Sequence, residues 1–135
     1  GIPGGFNAGL LEARGDWITL LACDTLCSSV DFPENMIRSG KVMTGPRLRS
    51  GEHGLNVTYL DGWCYGFPQS LLDDVGLLDS EYFYCFEDVD ISIRAQRAGY
   101  ELMQVECGIT NPTPPRYEDI PKYYTKNRNY LIKKL

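Results

Sequence analysis

Apolar and polar positions fall into short blocks whose period changes along the chain. Asn7 to Arg14 carries Leu10, Leu11 and Ala13 on one side and reads as a short helix closed by Gly15. Trp17-Ile-Thr-Leu-Leu-Ala-Cys23 is nearly all apolar and predicts a strand buried on both faces, ending at Asp24. Glu34 to Ser39 reads as a helix opened by Pro33 and Asp31 and stopped by Gly40. Lys41 to Thr44 and Leu55 to Leu60 read as strands flanking a loop, Gly45 to Gly54, in which the only histidine, His53, is expected to be solvated. Pro68 to Val75 reads as a helix ended by Gly76.

The clearest element is Glu87 to Gly99. Acids in its first turn, Arg94 and Arg97 later and a closing glycine all suit the helix dipole. Glu101 to Glu106 reads as the next strand, Pro112, Pro114 and Pro115 mark a loop, and Asp119 to Leu135 predicts a tail helix. Its inward stripe is Ile120, Tyr124, Asn127, Leu131 and Leu135. Strands alternating with short helices give an α/β domain, divided into a core (1–112) and a proline-rich loop with basic tail helix (113–135).

The length of 135 residues suits one domain, and 43% hydrophobic against 23% charged residues supports a packed core. No apolar run reaches the length of a membrane span, and no leader opens the sequence. The glycine-rich opening without Met reads as the start of a piece cut from something longer. The formal charge is -5, with about +4 in residues 113–135, so an acidic body carries a basic tail. That body is a poor nucleic-acid surface. The tail suits an anionic membrane surface. Five cysteines without a C-x-x-C pair read as buried small hydrophobes in a reducing, cytoplasmic setting.

Two acidic sites stand where regular elements meet loops. Asp24 follows the apolar strand, at the kind of strand end where α/β sheets bind ligands, and reads either as a cation-holding carboxylate or as the cap of a turn at Thr25. Glu87-Asp88-x-Asp90 opens a helix behind the aromatic stretch Tyr82 to Phe86. Crowding and burial there raise proton affinity, which suits a general base; an exposed helix start would explain the same acids by the dipole alone.

The order Asn7-x-Gly9, Ala13-x-Gly15-Asp16, apolar strand, Asp24-Thr25, Gly62 to Gly76, Leu78-Asp79, Glu87-Asp88-Val-Asp90-Ile-Ser-Ile-Arg94, Ala98-Gly99-Tyr100 and Tyr123-Tyr124-x-x-x-Arg128-Asn129 resembles the second half of a family 2 glycosyltransferase from about Phe6 onward. The resemblance implies a partial GT-A fold: a Rossmann-like mixed sheet with short flanking helices, lacking the N-terminal nucleotide-binding half. It implies inverting transfer of a sugar from a nucleotide-diphosphate sugar to a hydroxyl of a glycan or lipid-linked acceptor. Asp88 falls on the catalytic base, with Glu87 and Asp90 shaping the acceptor pocket or orienting that base. Asp24 falls on the acid that binds Mg²⁺ or Mn²⁺, Gly62, Trp63 and Cys64 on the loop facing donor and acceptor, and Arg94 on the substrate-binding side of the same motif. Ala22 stands where the metal motif has its first acid, and Cys107 and Gly108 offer no metal-binding histidine. The other class is an inert glycan-binding or interaction domain. A truncated sheet predicts an open edge at Trp17 to Cys23, hence a homodimer or a partner supplying strands. The tail helix, with Lys122, Lys126, Lys133 and Lys134 beside Tyr123 and Tyr124, reads first as plain packing with a solvated face and alternatively as a contact with anionic headgroups at the inner face of the membrane.

Overall fold

The structure is a computed structural model that describes residues 1–112 and 120–135. The loop read at Pro114 and Pro115, the helix start at Asp119 and the side chain of Ile120 lie outside the described residues. In chain order the elements are α1 (Ile2–Glu12), β1 (Trp17–Leu21), β2 (Leu26–Cys27), α2 (Phe32–Met36), β3 (Val42–Gly45), β4 (Leu48–Ser50), β5 (Thr58–Leu60), β6 (Cys64–Pro68), α3 (Ser70–Val75), α4 (Glu87–Arg97), β7 (Glu101–Gln104), β8 (Ile109–Thr110) and α5 (Ile120–Lys134).

The chain is α/β. Its main sheet runs β1-β6-β3-β7, with β6 antiparallel to both neighbours and β3 parallel to β7. Two small ladders, β2 with β8 and β4 with β5, stand beside it. β1 is an edge among the described residues, and this corrects the expectation of a strand buried on both faces. Ile18 and Leu20 are buried, whereas Trp17 and Thr19 are half-covered and Leu21 is exposed, the alternation of a strand covered on one face. It stops at Leu21 because the backbone N–H and Oγ1 of Thr25 both donate to the Ala22 carbonyl and turn the chain.

β6 was not anticipated. It runs through Cys64-Tyr-Gly-Phe-Pro68, a β-forming aromatic stretch ending in proline, with register from Trp17↔Pro68 to Leu21↔Cys64. Its alternation divides the core. Tyr65 and Phe67 join Leu10, Ile18, Leu20, Leu71, Ile91 and Ala95 on one face, while Cys64 joins Met36, Val105, Cys107 and Ile109 on the other.

Two helices differ from expectation at their ends. α1 begins at Ile2, five residues early, because Pro3 suits a first turn and the Ile2 N–H donates to the Phe83 carbonyl, anchoring a glycine-rich stretch that propensity disfavours. Leu10 then turns inward and Leu11 stays 71% exposed. In α5, Asn127 and Leu131 point inward as their spacing predicts, but Leu135 is exposed.

α4 lies between these layers. Ile91 and Ala95 face the sheet-side core, while Val89 and Ile93 face Tyr59, Tyr82, Phe86 and Leu131. Covered on both sides, it carries the acids of its first turn into the interior. Gly99 ends it in a left-handed conformation, φ 87°, which glycine adopts without steric cost.

Candidate active site

The chain enters α4 through a strained turn. Cys85 and Phe86 have φ of 70° and 73°, the left-handed region that costs side-chain-bearing residues free energy. The buried Asn127 of α5 holds the turn, its Nδ2 donating to the carbonyls of Tyr84 at 2.7 Å and Cys85 at 3.1 Å. His53 packs against it, ring centroid 5.0 Å from Phe86, with its nitrogens 3.2 Å from the Tyr124 hydroxyl and 3.0 Å from that of Tyr59. It is therefore not the solvated loop residue expected, and burial lowers its proton affinity.

This fixed turn sets the direction of the first α4 side chains. Asp88 is half-buried; its Oδ1 accepts the Val89 N–H and its Oδ2 the Gly62 N–H, both at 2.9 Å. Glycine at position 62 allows this close approach, since a Cβ there would stand 3.0 Å from Asp88 Oδ2 and 3.1 Å from Asp88 Cβ. The neighbouring Asp61, buried, accepts from Arg49 Nε at 2.5 Å and Trp63 Nε1 at 3.1 Å, with Arg47 at 3.5 Å. Burial first, then the charge of Asp61, lifts the Asp88 carboxyl to about 6 against the pull of its N–H donors. Glu87 is also lifted, by burial and then by Asp88, so the two carboxyls share one protonation equilibrium.

The strand that leads to Asp24 attaches to the same segment. The Ala22 N–H donates to the Trp63 carbonyl at 2.8 Å, and Leu21 pairs with Cys64. The β1 end and the α4 start thus both attach to residues 62–64. Asp24 itself is exposed in the turn and accepts from Asn111 Nδ2 at 3.4 Å.

The remaining predicted residues are committed elsewhere. Asp90 lies two positions from Asp88, so the helix turns it to the opposite side. There it pairs with Arg94 at 2.8 Å and with Lys134, and Tyr82 donates to it at 3.4 Å. Arg94 also donates to the carbonyls of Val75 and Leu77. The Cys64 thiol points into the core, where burial raises it to about 12, and Trp63 is half-buried with its indole N–H on Asp61. Asp90, Arg94 and Cys64 thus make their contacts within the fold. Arg94→Met is expected to lower the unfolding free energy by about 2 kcal/mol, the scale of unpairing buried polar groups. Urea unfolding checks this; unchanged stability would return Arg94 to the substrate.

Among the described residues, no group of three or more His, Cys, Asp or Glu side chains is placed to hold a metal ion. Asp24 offers one carboxylate, whereas a hard divalent cation takes about six oxygens, so these residues do not build a resident metal centre. A cavity of about 330 Å³ opens at the other end of α4, lined by Thr58, Ile93, Gln96, Arg97 and Leu135, away from the acids.

Sequence reasoning missed Asp61, Arg49, Asn127 and Tyr65. The helical stripe marked Asn127 as inward, whereas the Arg49–Asp61 pair joins residues twelve apart in the sequence. No protein-family model, curated protein or solved structure gives a significant match to the chain.

Proposed function

We propose that the chain is the acceptor-side part of an inverting glycosyltransferase with a partial GT-A fold. Asp88 removes the proton of an acceptor hydroxyl as that oxygen bonds to the anomeric carbon of a nucleotide-diphosphate sugar. The bond from that carbon to the diphosphate breaks, the nucleoside diphosphate leaves, and the proton ends on Asp88. The observation that carries this reading is the Asp88 carboxylate itself, fixed by two backbone N–H groups beside a strand end and raised toward neutrality by burial. A base works best when its proton affinity lies near the working pH.

Several features support the remainder. The half-buried Trp63 offers an indole beside Asp88's glycine, and apolar sugar faces stack on aromatic rings. The open edge of β1 is where donor-binding strands would pair. Lys122, Lys126 and Lys133 are exposed on α5 and suit contact with the anionic inner face of a membrane carrying a lipid-linked acceptor, whereas Lys134 is tied to Asp79 and Asp90. Any Mg²⁺ or Mn²⁺ would take Asp24 as one ligand and arrive with the donor diphosphate. The lone carboxylate at Asp24 favours the second reading, an inert glycan-binding domain.

Turnover of a panel of nucleotide sugars, by the chain alone and joined to strands that pair with β1, separates the two. Transfer is expected to fall as pH drops through about 6, as Asp88 takes up a proton. Binding of glycans without turnover under any of these conditions would favour the inert domain. The open edge also predicts self-association of the chain alone at micromolar concentration, and a monodisperse monomer by light scattering would count against it.

A further inference from the structure

His53, the only histidine in the chain, has no part in the chemistry assigned to Asp88, yet it sits where two supports of that residue meet. It occupies the loop between β4 and β5 in a left-handed conformation, φ 60°, and Arg128 Nε of α5 donates to its carbonyl at 2.8 Å. Its ring centroid lies 5.0 Å from that of Phe86, two positions before Asp88, and 5.6 Å from that of Tyr124 on α5. On its other side a run of hydrogen bonds leads to Asp61. Tyr59 donates to Glu52 Oε2 at 2.8 Å, Arg49 Nη1 to Glu52 Oε1 at 2.7 Å, and Arg49 Nε to Asp61 Oδ1. Asp61 precedes Gly62, whose N–H holds Asp88.

The direction of each proton in this run follows from its end. Burial pushes the Glu52 carboxyl up, but hydrogen bonds from Arg49 and Tyr59 outweigh it and hold the group below its ordinary value, so Glu52 is ionised and only accepts. A phenol has one proton, and that of Tyr59 is spent on Glu52. The Tyr59 oxygen, 3.0 Å from His53 Nε2, can then only accept, so Nε2 carries the imidazole proton. A neutral ring has one N–H, which leaves Nδ1 bare to accept from the Tyr124 hydroxyl at 3.2 Å. We infer that His53 is a positioning residue for Asp88, fixed as the neutral Nε2–H tautomer in a one-way chain from Tyr124 through His53 and Tyr59 to Glu52, which fastens α5 to the loop that holds the base.

The groups around the ring favour this neutral form. Burial disfavours an imidazolium first; Glu52 in the same loop and Asp61 after β5 attract one, while Arg49 of β4 and Arg128 of α5 repel it, and the proton affinity falls below the ordinary histidine value. Tyr59 of β5 and Tyr124 of α5 present hydroxyls, and the start of α4 presents Phe86. A second ring proton would place an N–H opposite the Tyr124 oxygen and force that hydroxyl to turn its own proton away, so the link to α5 loosens as pH falls through the His53 value. The bearing on turnover rests on the reading of Asp88 as the base.

NMR of the whole chain labelled with ¹⁵N-histidine tests the chain of bonds without turnover, since one residue gives both ring signals. The expected spectrum at neutral pH has Nε2 protonated and Nδ1 bare, and Tyr59→Phe, which removes the acceptor, releases the ring to a mixture of tautomers. A native ring protonated on Nδ1 or on both nitrogens, or a native mixture, would overturn the inference. The positioning role is read at the Gly62 amide. His53→Leu is expected to move its signal, whereas His53→Gln, whose side-chain N–H can replace that of Nε2, keeps it near the native position. A Gly62 signal left unmoved by His53→Leu would refute the role; should that variant fail to fold, Tyr59→Phe cuts the same chain and is read in its place. In transfer, His53→Leu is expected to lower kcat by about 10–10²-fold with the acceptor KM unchanged, as for a displaced base, and a rise in KM alone would place His53 on the substrate instead. Transfer that survives Asp88→Asn would sink the base and leave the tautomer standing.

Discussion

Asp88→Asn is expected to cut sugar transfer by about 10²–10⁴-fold, the contribution of a positioned general base, and at the same time to raise the thermal midpoint at neutral pH. The amide keeps an oxygen for the Gly62 N–H, gives up the acceptor that the Val89 N–H used, a smaller effect than removing a buried charge, and cannot take a proton. The gain in stability follows from linkage. Asp88 and Glu87 bind protons more tightly in the folded chain than in the unfolded one, because burial disfavours their charged forms. Their contribution to stability is therefore fully present below ordinary carboxylate values and is lost as pH rises through the folded values. A neutral side chain at 88 removes part of that loss. An inactive variant with a lower thermal midpoint would mean that Asp88 holds the fold together instead of acting on substrate.

Asn127→Leu is expected to lower the unfolding free energy by about 2–4 kcal/mol, combining the loss of two hydrogen bonds from a buried side chain with release of a strained turn. The substitution keeps the branched shape of the side chain, somewhat enlarged, but removes the amide from the carbonyls of Tyr84 and Cys85. Those carbonyls precede or belong to the left-handed pair that aims α4. Transfer is expected to fall with stability, since Asp88 sits two residues beyond Phe86 and inherits its placement. Urea unfolding and kcat, measured on the same preparation, check both effects. Full stability in the variant would show that α5 does not hold the turn.

How far the chain could be read in advance depended on whether a signal was local. α4 was legible because its first-turn acids, later arginines and Gly99 all lie within one stretch of sequence. That Asp88 and Asp90 point apart was legible too, since side chains two apart on a helix do not share a face, yet a motif read as a unit hides it. β6 was obscured by the glycine and proline within Cys64 to Pro68, although its aromatic, β-forming composition was a usable signal. Asp61 was not legible: its partners Arg49 and Trp63 meet it only once β4 and β5 pair and the chain turns into β6. The face that β1 covers was likewise set by its place at the sheet edge, which a nearly all-apolar run cannot reveal.

The reading of Asp88 as the base of an inverting transfer is tested most directly by the anomeric configuration of the product. NMR of the glycoside formed from an α-linked nucleotide sugar, by the chain joined to strands that pair with β1, is predicted to show a β-linkage whose formation is lost in Asp88→Asn. A product that keeps the α-configuration, or a β-linked product formed at the native rate by Asp88→Asn, would contradict it.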